Sequence, residues 1–446
     1  MNIRVDFDKA LGRIKPMHAV GQPPTASGAP NDTYFHYLTE AHIPFSRLHD
    51  VGGGYGMNRY VDIPNIFRDF DADENDPASY DFAFTDWLIA ALYKADCAPI
   101  FRLGVTIENY VCIKRYFTFP PKDYAKWARV CEHIIRHYNE GWANGFSYGI
   151  EYWEIWNEPE NGETPEKNQM WCGTDEQYFE LYTVTAKHLK ACFGDTVKVG
   201  GYGSCGFYNV AADPKAFGID AAPVNPNNKT NPDHIYRTKF LDGFFAYIKQ
   251  HGAPLDFFSW HSYTNVEGTL IFADFVDKKL REYGYENVET QLNEWNNAAS
   301  MEKFGTSEAS AKAAAMMLAM QNKKVDMLCY YDARIGTSQY GGLFYPIPPR
   351  PTATYYAFKA FGELYALGTQ VSLEGLEDGV YAVAAKGEGG RAVMIANVSG
   401  EEKEIVTELA GFDVYLIDKA HALEKVALNA GRFVLENEQV ALLSAR

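Results

Sequence analysis

The stretch EYWEIWNEPE (residues 151–160) joins a short aromatic run to a polar end, and this combination indicates the fold of the chain. Residues 152–157 have the aromatic and β-branched character of a buried strand, and Pro159 ends the run. Strands that are apolar along their length and polar at the carboxyl end are typical of parallel sheets, whose functional groups gather at that end. Further runs of this kind are therefore expected along the chain.

Seven more β-rich runs recur along the chain, with amphipathic helical patterns between them. They cover residues 15–21, 45–50, 98–104, 197–203, 257–263, 288–295 and 326–333. Alternating strands and helices predict parallel strands joined by helical crossovers, and eight such strands close a (β/α)₈ or TIM barrel. We expect this α/β barrel to occupy residues 1–368, with residues 355–368 as its last helix and residues 204–234 as an elaborated loop.

The pattern changes after residue 368. Short alternating strands separated by Gly-, Asn- and Asp-containing turns fill residues 369–446, which predicts a small antiparallel β-sandwich domain. The amino-terminal residues 1–10 are expected to add one strand to it. The predicted fold is therefore a barrel with a small carboxyl-terminal sandwich.

Composition narrows the classes of partner. The formal charge of −17 and the lack of long basic runs disfavour nucleic acid, and the lack of a long apolar run disfavours membrane residence. The amino end has no pattern of a signal peptide, so we expect a cytoplasmic protein, with an exported mature form left open. Aromatic residues make up 15% of the chain, which suits either sugar-stacking surfaces or a large core.

Cysteine and histidine patterns give no sign of a metal or cofactor. The seven cysteines are odd in number, scattered and without CxxC spacing, which disfavours zinc ribbons and a disulfide framework. His133 and His137 have a spacing that can hold a metal, but the glutamate of an HExxH motif is missing, so an ordinary helix face is the favoured interpretation. We expect no cofactor and no metal, and association into a homo-oligomer stays open.

Two predicted strands end in a similar way. The fourth ends in WNEP and the seventh in LNEW, so that Glu158 and Glu294 each lie at or just past a strand end. Strands four and seven face each other across a small barrel, and the two carboxyl groups are expected to converge over its mouth. A carboxylate pair in a cleft suggests glycoside hydrolysis, whereas the structural alternative is that each glutamate caps a helix or pairs with an arginine.

The motifs EIWNEPE and QLNEWN resemble the acid/base and nucleophile signatures of the retaining clan of (β/α)₈ glycosidases. The wider chain is similar to glycoside hydrolase family 39, which contains β-xylosidases and α-L-iduronidases, through the segments SRLHD, PPKDYAKW, VKVGG, DFFSWHSYT and PRPTATYYAFKAF in that order. The resemblance implies that Glu158 is the general acid/base and Glu294 the nucleophile. It also implies that Asn157 hydrogen-bonds the sugar 2-hydroxyl.

The resemblance implies further substrate-binding groups at the strand ends, namely Arg47, His49, His261, Tyr263 and Trp295. Arg47 is expected near Glu294, where its charge would lower the carboxyl pKa, although a purely structural ion pair is the alternative. The histidines would bind sugar or orient a carboxylate. Trp295, with Trp156 and Trp260, would form a stacking wall or simply pack loops.

The glutamates of the opening stretch are expected to differ in role. Glu154 lies within the strand and is predicted to be a buried, paired carboxylate, whereas Glu160 is predicted to face solvent or the cleft edge. Retention requires a raised pKa for Glu158 and a charged Glu294.

Three segments depart from the β-xylosidase pattern: Arg102 on the third strand, residues 329–334 on the eighth, and the glycine-rich residues 50–60. Arg102 and Arg334 could bind a carboxylated sugar or pair with acidic residues. We expect an exo-acting, β-xylosidase-like retaining hydrolase acting on plant or microbial oligosaccharides. The alternatives are an endo-glycanase, another exo-glycosidase (for galactosides, glucosides, arabinosides or uronides), and a silent carbohydrate-binding protein.

Overall fold

The computed structural model describes residues 1–25, 32–51, 61–106, 118–336, 339–340 and 342–446. After a first strand, β1 (Arg4–Arg13), parallel strands close a barrel in which the last strand pairs with the first. The strands of the barrel are β2 (Ala19–Gly21), β3 (Phe45–Leu48), β4 (Ala98–Leu103), β5 (Tyr152–Ile155), β6 (Lys198–Ser204), β7 (Phe257–Ser262), β8 (Glu289–Trp295) and β9 (Met327–Tyr331). The predicted (β/α)₈ barrel is thus confirmed.

Helices follow the strands along the chain. Those in the described residues are α1 (His36–Glu40), α2 (Ile63–Ile66), α3 (Ala83–Lys94), α4 (Tyr124–Glu140), α5 (Asp175–Phe193), α6 (Tyr208–Ala212), α7 (Pro232–Gln250), α8 (Val266–Tyr283), α9 (Ser307–Met320) and α10 (Ala353–Leu367). Local sequence sets their ends: Thr174 and Gln177 form a capping box at the start of α5, and Gly141 takes a left-handed conformation after α4. Of the helices in these ranges, none has the length and apolar character needed to cross a membrane.

The barrel interior is layered from apolar to polar. Toward the amino ends of the strands it is filled by a small apolar cluster that includes Ile100, Tyr152 and Phe257. Two residues further along the strands, the inward positions carry buried Arg102 and Glu154 instead. This alternation places these two buried charges directly beneath the carboxyl ends of the strands.

After the short hairpin β10 (Phe344–Pro346) and β11 (Pro349–Pro351), the chain continues into antiparallel sheets. Their strands are β12 (Thr369–Glu374), β13 (Val380–Gly387), β14 (Gly390–Asn397), β15 (Lys403–Val406), β16 (Asp413–Ile417), β17 (Ala422–Val426), β18 (Arg432–Leu435) and β19 (Gln439–Ala445). One sheet has the order β1-β12-β13-β14-β19-β16-β17, and β15 pairs with β18. The two sheets share an apolar core, and β1 joins the larger one beside β12. We retain residues 369–446 as the proposed range of this second domain.

Candidate active site

Two carboxyl groups meet over the mouth of the barrel. Glu158 lies just past β5 and Glu294 lies near the end of β8. One oxygen of each, together with a ring nitrogen of His261, all lie within 4.8 Å of one another. The side chains of Glu158 and Glu294 are 15% and 9% exposed, so both are largely withdrawn from water while remaining open to a ligand.

A buried guanidinium holds the floor of this site. Arg47 donates from Nε to Glu154 Oε2 (2.7 Å), from Nη1 to Glu294 Oε2 (3.1 Å) and from Nη2 to Asn157 Oδ1 (2.6 Å). Burial lowers the pKa of Arg47, but the charges of the two glutamates more than offset this and raise it above its ordinary value. The arginine therefore stays charged and fixes three side chains at once.

Glu154 anchors Arg47 from below. Its second oxygen accepts hydrogen bonds from Ser259 Oγ and from Asn293 Nδ2, each at 2.6 Å, and the side chain is fully buried. Its prediction as a buried, paired carboxylate is confirmed. Because all its described partners lie inside the barrel, Glu154 supports the site without reaching the mouth.

The backbone turns sharply at the end of β5. Trp156 and Glu158 have positive φ angles of 73° and 46°, conformations that are rare for residues with side chains. The Glu158 amide donates to the carbonyl oxygens of Tyr202 and Gly203, which holds the turn in place. The Oδ1 atom of Asn157 is taken by Arg47, so its amide NH₂ is the end of the side chain left to meet a ligand.

His261 links the two carboxylates. Its Nδ1 lies 2.8 Å from Glu158 Oε1, and its Nε2 lies 3.8 Å from Glu294 Oε2. Burial lowers the pKa of His261. The charge of Glu294 and the hydrogen bond and charge of Glu158 raise it by more than burial lowers it, so the net shift is upward. The imidazole is thus disposed to hold a proton beside Glu158.

The pKa values of the glutamates run opposite to expectation. Burial raises the pKa of Glu158, yet the hydrogen bond and charge of His261 outweigh it and lower that pKa below its ordinary value. Burial raises the pKa of Glu294. The charges of His261 and Arg47 lower it by less, so the pKa stays above its ordinary value. The prediction of a raised pKa for Glu158 is therefore wrong for this arrangement, because the neighbouring imidazole holds the proton instead.

One hydroxyl group and one amide group also donate to the carboxylates of Glu294 and Glu158. Tyr263 donates its hydroxyl to Glu294 Oε1 at 2.5 Å, and Asn161 donates to Glu158 Oε2 at 2.9 Å. Tyr263 thus lies where sequence analysis expected it. Asn161 was not anticipated.

His49 lies at the mouth but is held by charged neighbours. Its Nδ1 accepts from Arg102 Nε at 3.1 Å, and its Nε2 lies 3.4 Å from Asp50 Oδ1. Burial, followed by the charge of Arg102, lowers its pKa well below the ordinary value, so the ring is neutral. Arg102 pairs with Asp62 at 2.6 Å and Arg334 pairs with Asp332 at 2.7 Å. Both arginines considered for a carboxylated sugar thus have acidic partners within the chain.

The tryptophans are buried, so of the two alternatives considered for them, a stacking wall or packing, the structure shows packing. Trp295 is fully buried and packs edge-on against Tyr330 at 5.1 Å between ring centroids. Trp156 and Trp260 are also buried, and the indole of Trp156 donates to the Met170 carbonyl. Trp295 is therefore corrected from a sugar-binding residue to a core residue, because strand alternation turns it away from the side that Glu294 occupies.

Glu160 is a second correction. It is fully buried rather than facing solvent, and its Oε1 accepts from Ser204 Oγ and from the Cys205 amide, each at 2.7 Å. Burial raises the pKa of this carboxyl group to about 7, and the nearby charge of Glu158 adds to the effect. A titratable group thus lies just behind Glu158.

Gly203 was missed by the sequence analysis although it shapes the site. It has a φ of +64°, and a Cβ atom there would lie 3.1 Å from both Asn157 Oδ1 and His261 Nε2. Only glycine leaves room for these polar atoms. The run VKVGGYG contains the signal, because a glycine inside a strand often marks a close approach. Residues 52–60 of the glycine-rich segment lie outside the described residues.

Comparisons with known proteins place this geometry in context. Residues 1–300 match the family described as "Glycosyl hydrolases family 39". A β-xylosidase of Geobacillus stearothermophilus is 24% identical over 250 residues, which make up 53% of this chain and 39% of that protein. The chain thus spans well under two thirds of the length of that curated relative.

Solved structures share the fold over the whole chain. A glucosidase from Croceicoccus marinus has a TM-score of 0.76 at 21% identity, covering 99% of this chain and 98% of that one. A family 39 β-xylosidase from Caulobacter crescentus has a TM-score of 0.67 at 17% identity, covering 100% of both chains. At these identities the similarity concerns the fold.

Proposed function

Because the chain belongs to glycosyl hydrolase family 39, we propose that it is a retaining glycoside hydrolase that removes β-linked xylose from the ends of oligosaccharides. The observation that carries the proposal is the approach of Glu158 and Glu294, which have oxygens within 4.8 Å of each other. Retaining glycosidases keep their carboxyl groups about 5 to 5.5 Å apart, whereas inverting ones need roughly 6.5 to 9.5 Å to admit a water.

In this mechanism Glu294 attacks the anomeric carbon. Arg47 and Tyr263 each donate to one of its oxygens, which fixes the nucleophile and favours its charged form against the burial that raises its pKa. The attack forms a glycosyl ester and breaks the glycosidic bond, and water later hydrolyses the ester with a second inversion. Asn157 offers its amide NH₂ to the sugar 2-hydroxyl, a contact that strengthens as the transition state forms.

Glu158 supplies the proton to the leaving oxygen, and His261 is its source. The imidazolium and the carboxylate are joined at 2.8 Å, so the pair holds one proton that can move to Glu158 as the leaving group approaches. Once the glycosyl ester has formed, Glu294 is neutral and no longer holds the proton on His261. Glu158 then acts as the base that activates water.

The preference for β-xylosides is supported by the activity named for the curated relative from Geobacillus stearothermophilus. A panel of aryl glycosides tests it: β-xyloside, β-glucoside, β-galactoside, α-L-arabinoside and α-L-iduronide. We expect the β-xyloside to have the highest kcat/KM. Equal or higher turnover of another glycoside would reject the assignment of the sugar while leaving the reaction class intact.

Variants of the two glutamates test the reaction class. Glu294→Gln should lose turnover by orders of magnitude on every substrate. Glu158→Gln should lose about 100- to 10,000-fold on xylobiose but much less on a dinitrophenyl xyloside, whose leaving group needs no proton. Glu151→Gln, in a half-exposed ion pair with Lys198 at the other end of β5, is the matched control. Wild-type turnover by Glu294→Gln would reject the proposal.

A further inference from the structure

Three side chains of the types that can bind a metal ion lie close together on the outer helices, away from the barrel mouth. Glu132 belongs to α4, and His188 and Cys192 belong to α5, which packs beside α4. One carboxylate oxygen, one imidazole nitrogen and the thiol sulfur lie within 4.8 Å of one another. His188 and Cys192 are four residues apart, so one face of α5 presents both toward Glu132.

The distances fit a tetrahedral metal. Cys192 Sγ lies 3.7 Å from His188 Nε2. A Zn²⁺ ion with bonds of about 2.3 Å to sulfur and about 2.0 Å to nitrogen, at a tetrahedral angle, needs a separation of roughly 3.5 Å. The sulfur and nitrogen are therefore already spaced as ligands, and the carboxylate of Glu132, now 2.6 Å from His188 Nε2, needs only to move aside slightly.

Arg136, one turn further along α4, orients the carboxylate of Glu132. Arg136 Nε holds Glu132 Oε1 at 2.7 Å, which leaves Oε2 directed at His188. The positive charge of Arg136 is itself countered by Glu140, its second partner on α4. A divalent cation would thus meet one carboxylate, one thiolate and one neutral imidazole, whose summed charge it cancels.

We propose that Glu132, His188 and Cys192 form a peripheral site for zinc or a similar divalent transition metal. Binding forms metal–sulfur, metal–nitrogen and metal–oxygen bonds and releases the thiol proton to solvent, while His188 binds through Nε2 as the neutral imidazole that carries its proton on Nδ1. The side chains of His188 and Glu132 are partly exposed (30% and 14%), so a water can supply the fourth ligand. Because the ligands come from two helices, the metal would tie α4 to α5.

Cobalt titration of the full chain tests the site. Co²⁺ bound to a thiolate absorbs strongly in the near ultraviolet by sulfur-to-metal charge transfer, and tetrahedral Co²⁺ adds bands in the visible. Cys205 lies beside Glu158 of the active-site cluster, so the loss of the sulfur band in Cys192→Ser, rather than the band alone, separates the two sites. We expect the band to saturate at one equivalent of Co²⁺ and to disappear when excess Zn²⁺ is added.

Matched variants assign the ligands. Cys192→Ser should abolish the band, and Cys172→Ser, which changes another partly buried cysteine, should leave it intact. His188→Gln should weaken binding by more than the roughly 10- to 100-fold that loss of an outer partner causes. Circular dichroism and turnover of the aryl xyloside check that each variant is folded. Absence of a saturable band in the wild-type chain, or its persistence in Cys192→Ser, would overturn the proposal.

Discussion

Replacing Glu160 by glutamine should make the protein more resistant to alkaline pH. The carboxyl group is fully buried, and its pKa rises from an ordinary 4.5 to about 7. Between these values the folded chain keeps a proton that the unfolded chain has lost, so stability falls as pH rises through this window. At about 1.4 kcal/mol for each pKa unit, the wild-type chain loses roughly 3 kcal/mol by about pH 8.

Glu160→Gln keeps an oxygen for the Ser204 and Cys205 donors but cannot ionise. Urea unfolding of both proteins at about pH 5 and pH 8 gives their free energies of unfolding. We expect the difference between variant and wild type to shift by about 2 to 3 kcal/mol in favour of the variant at the higher pH. Glu151→Gln, on a half-exposed side chain, is the control and should show no such shift. A pH-independent difference for Glu160→Gln would refute the reasoning.

Three further variants test the site. Arg47→Met leaves Glu154 and Glu294 buried without their cation, so we expect a loss of about 3 to 5 kcal/mol in unfolding free energy and of nearly all turnover. A melting temperature equal to that of the wild type would contradict this. Tyr263→Phe removes a charge-assisted hydrogen bond to Glu294 and should lower kcat roughly 10- to 100-fold while the circular dichroism spectrum stays that of the folded chain. Gly203→Ala places a side chain on a backbone with a φ of +64°, which costs about 1 to 2 kcal/mol, and crowds Asn157 and His261, so both thermal stability and kcat/KM should fall. Unchanged kinetics would show that the site does not need the space that glycine leaves there.

The barrel and the position of its glutamates could be predicted because both depend on local pattern. Each strand run is short, apolar and followed by a helical period, and each polar group after a strand falls at the same edge of the sheet. The same alternation along β8 also decides the direction of Trp295. Since Glu294 faces the barrel mouth, Trp295 must face the helices, and the structure buries it there.

Other features depend on contacts between distant parts of the chain. Glu160 follows a proline and has the look of a loop residue, yet its donors come from the end of β6, some 44 positions away. The pKa order of Glu158 and Glu294 depends on His261, whose position is set by an irregularity in the pairing of β7 with β8 between Trp260 and His261. The sequence names the residues but gives neither the burial nor the hydrogen bond that decides their ionisation.

The stereochemistry of the first product tests the central claim most directly. Proton NMR can follow hydrolysis of an aryl β-xyloside from the first minute, before the free sugar equilibrates. With Glu158 and Glu294 acting in two displacements, and one oxygen of each within 4.8 Å of the other, β-xylose should appear first and the α-anomer only later, by mutarotation. Initial release of α-xylose would mean a single displacement and would contradict the assignment of Glu294 as nucleophile.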